Sequence, residues 1–245
     1  SASRSMPTVD VPKEEIVRAV RASLDALDPS ADTRTLNLRN YGVDDALITA
    51  VVEELTDPGN SLAQMITRLD LRGNQIGDRG AAALAQLPAA LPALTEILLS
   101  RNNVGDEGCA ALASGLVSND TLRTLNLNDN SVGDGGCAAL GEMLKANTGL
   151  TKLLLENNAI TDAGVTSLAV VLQPSDGADA AAGAAGGEGG PASEGGPSSR
   201  NTSLEQLPLG RNTKIVDTVS GIVLHHNPHA CSAIFRNTAE CARGG

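Results

Sequence analysis

Aromatic residues are almost missing from this chain of 245 residues, which has one tyrosine (Tyr41), one phenylalanine (Phe235) and no tryptophan. A core filled by a few large rings is therefore excluded. The 41% hydrophobic content comes from Leu, Ile, Val and Ala instead, side chains that suit many thin, similar layers. Positive charge is also short. Lys and Arg number 18 against 29 Asp and Glu, a net charge of −11. That balance argues against non-specific binding to nucleic acid or to an anionic membrane, both of which need basic surface. No apolar run reaches the roughly 20 residues of a membrane-spanning helix. No secretory signal pattern is visible, and the sequence begins at Ser1 rather than Met. The motifs of a phosphate-binding loop, a serine-hydrolase elbow, a zinc protease and a paired C-x-x-C site are all missing, so no catalytic constellation and no cofactor site is expected.

What the chain has is repetition. Four units stand in step at a period of 28 residues. Ile66, Leu94, Leu122 and Leu150 open them; Leu69, Ile97, Leu125 and Leu153 follow, then Leu71, Leu99, Leu127 and Leu155. An asparagine column comes next (Asn74, Asn102, Asn130, Asn158), then Ile76, Val104, Val132 and Ile160. Asp78, Asp106, Asp134 and Asp162 precede Gly80, Gly108, Gly136 and Gly164, and Leu84, Leu112, Leu140 and Leu168 close the unit. Two weaker units flank these four. Upstream, Leu36, Leu38 and Val43 fit, with Tyr41 in the asparagine place and a longer spacing that puts the extra residues in 56–61. Downstream, Leu204, Leu207, Leu209 and Asn212 fit, and Ile215 is one place late. Degenerate end units are expected where a stack is capped.

Each column has a physical role. The L-x-L alternation is that of a strand with its leucines inward. The asparagine amides are expected to satisfy backbone groups where the chain leaves each strand, as a ladder through Asn74, Asn102, Asn130, Asn158 and Asn212. The aspartate is expected to cap the helix that it starts, and the glycine to allow close approach. One strand and one helix per unit follow. Strands stack about 4.8 Å apart and helices about 8–10 Å apart, so the stack should bend into a horseshoe with parallel strands on the concave face. Cys109 and Cys137 share one small column. Helix spacing is too wide for a disulfide, whose Cα atoms lie within about 7 Å. Free thiols imply a reducing, intracellular setting, the cytoplasm first, with a cilium or another organelle as alternatives.

The organisation reads as a tail and capping helix over 1–32, repeats over 33–173, a Gly/Ala-rich insertion over 174–202 and a terminal repeat with its cap over 203–245. In the first part, 10–27 has the spacing of an amphipathic helix, with Ile16, Val20, Leu24 and Leu27 on one face. The insertion carries too little apolar surface to order itself. In the last part, His225, His226, His229 and Cys231 have the residue types of a metal site, but Pro228 interrupts the helical spacing such a site needs, so no metal is expected. Cys241 is given no role. Asn119 and Asn201 match the glycosylation pattern and are read as coincidence.

The pattern L-x-x-L-x-L-x-x-N-x-[IV]-x-D-x-G resembles the leucine-rich repeats of the ribonuclease-inhibitor-like subfamily, over about residues 33–215. That resemblance implies an α/β solenoid, a horseshoe with strands on the concave face and helices on the convex face. It also implies a non-catalytic role in protein–protein interaction, as a scaffold or accessory subunit of a larger assembly with several protein partners. No nucleic acid, small-molecule substrate or membrane insertion is expected. The candidate binding residues flank the inward leucines: Arg39, Arg68, Asp70, Arg72, Glu96, Leu98, Arg101, Asn126, Lys152, Leu154 and Glu156. Leu98 and Leu154 are expected to be exposed anchors. The arginines are expected either to receive an acidic partner or to pair with Asp70 and Glu96. The alternative function is GTPase activation, by resemblance to the Ran GTPase activator, with Arg39, Arg72 or a rim asparagine such as Asn102 as the acting group.

Overall fold

The computed structural model of the chain describes residues 18, 20, 34–172, 204–207, 209 and 212. Of the expected N-terminal helix only Arg18 and Val20 are among them; both are helical, and Val20 is fully buried in the core. The rest of that helix, the Gly/Ala-rich insertion, and the segment with His225, His226, His229, Cys231 and Cys241 lie outside the described residues.

Five short strands alternate with helices. Strands β1 (Thr35–Asn37), β2 (Arg68–Asp70), β3 (Glu96–Leu98), β4 (Thr124–Asn126) and β5 (Lys152–Leu154) form one parallel sheet in sequence order. The helices are α1 (Asp45–Thr56), α2 (Asp78–Leu84), α3 (Leu87–Ala90), α4 (Asp106–Leu116), α5 (Asp134–Ala146) and α6 (Asp162–Leu172). This is the expected α/β solenoid. Each strand starts one residue before the L-x-L leucine pair, and the ladder runs on beyond it through bonds such as Leu38 N to Asp70 O, 2.8 Å. The stack also continues past the insertion. Leu153 N donates to Gln206 O (3.0 Å), and Lys152 and Gln206 form a parallel bridge. Leu204, Leu207 and Leu209 are buried in the same core as the repeats before them. Among the described residues, no helix is long and apolar enough to cross a membrane.

Two irregularities have local causes. The longer first unit is absorbed after α1, where Asn60 N bonds Asp57 O and a turn of 3-10 helix, Ala63–Met65, leads into β2. In the second unit one long helix is replaced by α2 and α3. Pro88 stands near the start of α3, where its missing N–H costs nothing, whereas within a continuous helix it would remove a bond and clash.

The asparagine ladder forms as expected. Asn102 Oδ1 accepts from Ile76 N (3.1 Å), and its Nδ2 donates to Leu71 O (3.0 Å) and Leu99 O (2.9 Å). Asn74, Asn130, Asn158 and Asn212 repeat the scheme on their own neighbours. Each amide thus joins its own repeat to the one before it.

The aspartate column departs from expectation. The N-caps of α2, α4 and α5 are Gly77, Gly105 and Gly133, with no side-chain capping bond from those residues. The aspartate is the first residue of its helix and serves the helix of the next repeat. Asp78 Oδ1 accepts from Gly105 N (2.7 Å) and Gly108 N (2.9 Å), the cap and third positions of α4. Asp45 and Asp134 do the same one repeat along, and Asp106 Oδ1 accepts from the cap residue Gly133 N at 2.6 Å. Conventional caps occur at α1, where Asp44 Oδ1 accepts from Leu47 N at 2.9 Å, and at α6, where Thr161 Oγ1 accepts from Ala163 N at 3.3 Å. The lateral cap explains the glycine column: a Cβ on Gly108 would stand 2.7 Å from Asp78 Oδ1 and 2.8 Å from its Cα.

Candidate functional site

The core columns recur with small apolar exchanges, and the outward positions of the strands are among those that differ between repeats. Register places Asp70, Leu98, Asn126 and Leu154 side by side across β2 to β5, and Arg68, Glu96, Thr124 and Lys152 beside them. Adjacent strands are about 4.8 Å apart, so each outward side chain is flanked closely by two others.

That crowding corrects the expectation for Leu98, which is 5% exposed and not an open anchor. Asp70 and Asn126 stand in register on either side of it. Leu154 is half-buried. The large hydrophobic side chains that are exposed among the described residues are Tyr41 and Val117.

The arginines divide into two kinds. Arg72 grips Asp70 with two bonds, Nε to Oδ1 at 2.8 Å and an outer nitrogen to Oδ2 at 2.5 Å. Burial pushes the Asp70 carboxyl up, but the bonds and charge of Arg72, helped by Arg68, outweigh it and leave the pKa below the usual carboxylate value. Arg68 lies 3.4 Å from Glu96. Arg39 is exposed and has no ion pair among the described residues, and Arg101 reaches Asp129 only at 3.9 Å. At the β4–β5 end, Glu156 N donates to Asn128 Oδ1 (2.8 Å), and Asn128 Nδ2 donates to Glu156 Oε2 (3.3 Å). Asn102 is buried within the ladder and is not a rim group, and Arg72 is committed to Asp70. Of the residues put forward for GTPase activation, only Arg39 is free to act.

Sequence reasoning missed the conformation of the rim. Where each strand turns toward its helix, Asn40, Arg101, Asp129 and Asn157 have φ between 54° and 60°, and Gly73 has 70°. Asn, Gly and Asp tolerate this left-handed region; an arginine there costs about 1–2 kcal/mol. The recurring Asn, Gly, Asp, Asn composition was the available signal, and Arg101 is its exception. A second asparagine pair was also missed. Asn147, 1% exposed, donates to Leu116 O (2.6 Å) and Asn119 O (2.7 Å). Asn119 donates to Pro88 O at 2.9 Å, so its amide is already engaged in the fold.

Cys109 and Cys137 are free and buried, as expected. Burial pushes the Cys137 thiol up to about 12 and raises Cys109 as well, so neither is a thiolate near neutrality. Among the described residues no group of His, Cys, Asp and Glu is placed to hold a metal.

Residues 63–85, 91–113, 118–141 and 146–169 match the Leucine Rich repeat family model. No curated protein matches the chain. Similar solved structures include the actin-binding site 2 of leiomodin-1, at 15% identity and a TM-score of 0.43, with 97% of this chain and 94% of that chain covered. An internalin from Listeria monocytogenes is 24% identical with a TM-score of 0.31, over 55% of this chain and 38% of that one. A BIR3–SERK2 complex from Arabidopsis thaliana is 18% identical with a TM-score of 0.30, over 55% of this chain and 61% of that one. With TM-scores below 0.5, none of these likenesses bears on what the chain binds.

Proposed function

We propose that this leucine-rich-repeat protein is a non-catalytic scaffold or accessory subunit, which holds protein partners of a larger assembly on its strand face and rims. One observation carries the reading. The outward positions Asp70, Leu98, Asn126 and Leu154 differ in chemistry from strand to strand, while the asparagines four residues after each are identical and hydrogen-bonded alike. A frame that is repeated and a surface that is not is the form of a recognition module. Buried, unreactive thiols suit a reducing intracellular compartment.

The test is affinity purification from the native source with two variants beside wild type. One changes the strand face, Lys152→Glu with Leu154→Asp. The other changes the helix face, Glu142→Lys with Ala138→Lys. Both faces accept these changes without a buried polar group, because Lys152 and Leu154 are only partly covered and Ala138 and Glu142 are exposed. Partners lost from the strand-face variant alone are the expected result. Partners lost from the helix-face variant alone would refute the reading.

A further inference from the structure

The strand face is polarised. Arg39, Arg68, Arg72 and Arg101 gather on and beside β1 to β3, while Asp129 and Glu156 stand toward the other end, with Lys152 as the cation beside them. Within the basic end, Asp70 and Glu96 are already neutralised by Arg72 and Arg68. Arg39 and Arg101 are left over. Arg39 is exposed without an ion pair among the described residues, and the Arg101 side chain is 75% exposed with one long contact.

The placement of the two follows from the backbone ladder. Asn40 N donates to Arg72 O and Gly73 N to Ser100 O, each at 2.9 Å. Arg39 therefore opposes Arg72, which opposes Ser100, and Arg101 follows on the same strand as Ser100. Arg39 and Arg101 stand two strands apart, about 10 Å, with the Arg72–Asp70 pair between them. Arg101 also occupies a left-handed backbone position (φ 59°) where the other repeats have Asn40, Gly73, Asp129 and Asn157. A residue in that strained backbone position, whose side chain has only the 3.9 Å contact to Asp129, directs attention to a contact outside the fold.

We propose that Arg39 and Arg101 form a two-point clamp for an acidic segment of the protein partner, one presenting two carboxylates about 10 Å apart on one side. The proposal rests on the strand face being the partner surface and names what that surface takes. Guanidinium groups bind carboxylates through paired, planar hydrogen bonds. A polyproline II segment puts every third residue on one face at about 9 Å spacing, which matches the clamp. The acidic remainder of the chain repels such a segment elsewhere, so the basic end sets both site and direction.

The test uses a fluorescein-labelled peptide of repeated Glu-Pro-Pro triplets, with the Gln-Pro-Pro peptide and a short oligothymidylate as comparisons, titrated against the full chain at low and physiological salt. The Glu peptide binds and the Gln peptide does not. Arg39→Glu and Arg101→Glu each weaken binding about tenfold, and Arg79→Glu, exposed on α2, leaves it unchanged. Arg101→Gly separates use from structure: it weakens binding while raising the unfolding temperature by about 2–4 °C. Equal binding by Arg101→Gly and wild type would overturn the clamp, as would oligothymidylate binding with the same arginine dependence. A native partner lost from Lys152→Glu/Leu154→Asp but retained by Arg39→Glu/Arg101→Glu would remove the clamp and leave the strand-face reading standing. Retention by both variants would remove both.

Discussion

Two columns run through this molecule four residues apart. Asn74, Asn102, Asn130 and Asn158 are one residue type in one hydrogen-bonding scheme. Asp70, Leu98, Asn126 and Leu154, each four places earlier, are an acid, an amide and two hydrocarbons in one register. The first column faces backbone groups that water cannot reach, and those groups are the same in every repeat, so one solution recurs. The second faces outward, where the fold asks for little beyond side chains that pack beside their neighbours. Identity marks the positions at which structure decides; variety marks those at which it leaves a choice.

The comparison breaks most sharply at the ladder. Asn102→Ala leaves Ile76 N without its acceptor, at about 1–3 kcal/mol for an unsatisfied buried group. It also takes one of two side-chain donors each from Leu71 O and Leu99 O, which keep Asn74 and Asn130. Urea unfolding should show a loss of about 2–4 kcal/mol, a large fraction of a domain's stability. A smaller cost is expected where helices touch. A Cβ on Gly115 would stand 2.2 Å from Ala85 O, and backbone cannot swing aside, so Gly115→Ala should cost about 1–3 kcal/mol by the same measurement.

The lateral caps come next. The Thr161 hydroxyl holds the Asp134 carboxyl below its usual value against an opposing push from burial, with the backbone N–H groups of Thr161 and Gly164 adding to the lowering. A carboxylate whose folded pKa is depressed contributes stability that is present above its unfolded value, near 3.9, and lost as pH falls through the folded one. Asp70 adds to the same acid-side slope. Between neutral pH and pH 5 stability should be flat with respect to these two groups, then fall below about pH 4. Asp134→Asn should have the shallower fall in a pH series of unfolding curves; an unchanged slope would remove Asp134 as a capping anion. At the small end, Asn126→Ala on the strand face removes the one bond that Asn126 Oδ1 accepts, from Asn128 N at 3.0 Å, and should cost about 0.5–1.5 kcal/mol. A loss comparable to that of Asn102→Ala would erase the distinction between the columns.

The repeat, its strand-and-helix unit and the asparagine ladder were legible because each depends on residues within one unit or at a fixed offset from it. The failures share a cause. Asp78 was assigned to its own helix because covalent order says nothing of which helix lies alongside; it caps α4 instead. Leu98 was expected to be exposed because alternation points it outward, and whether it is covered depends on Asp70 and Asn126, far away in sequence and adjacent in register. Asn147 and Asn119 stand one period apart, but the two units before them have Leu91 and Ala63 there, so two occurrences did not make a column. Arg101 hid in a rim column whose composition signals a turn only once positive φ is considered.

The most direct measurement is lysine footprinting of the native assembly. Lys152 lies on the strand face within β5, and Lys145 lies on the helix side in α5, exposed beside Glu142. Acetylation of the free chain and of the purified assembly, quantified by mass spectrometry, compares the two walls in one sample. The account predicts that Lys152 is shielded in the assembly while Lys145 remains as reactive as in the free chain. Shielding of Lys145 with Lys152 left open would contradict it, and would place the partner on the helices.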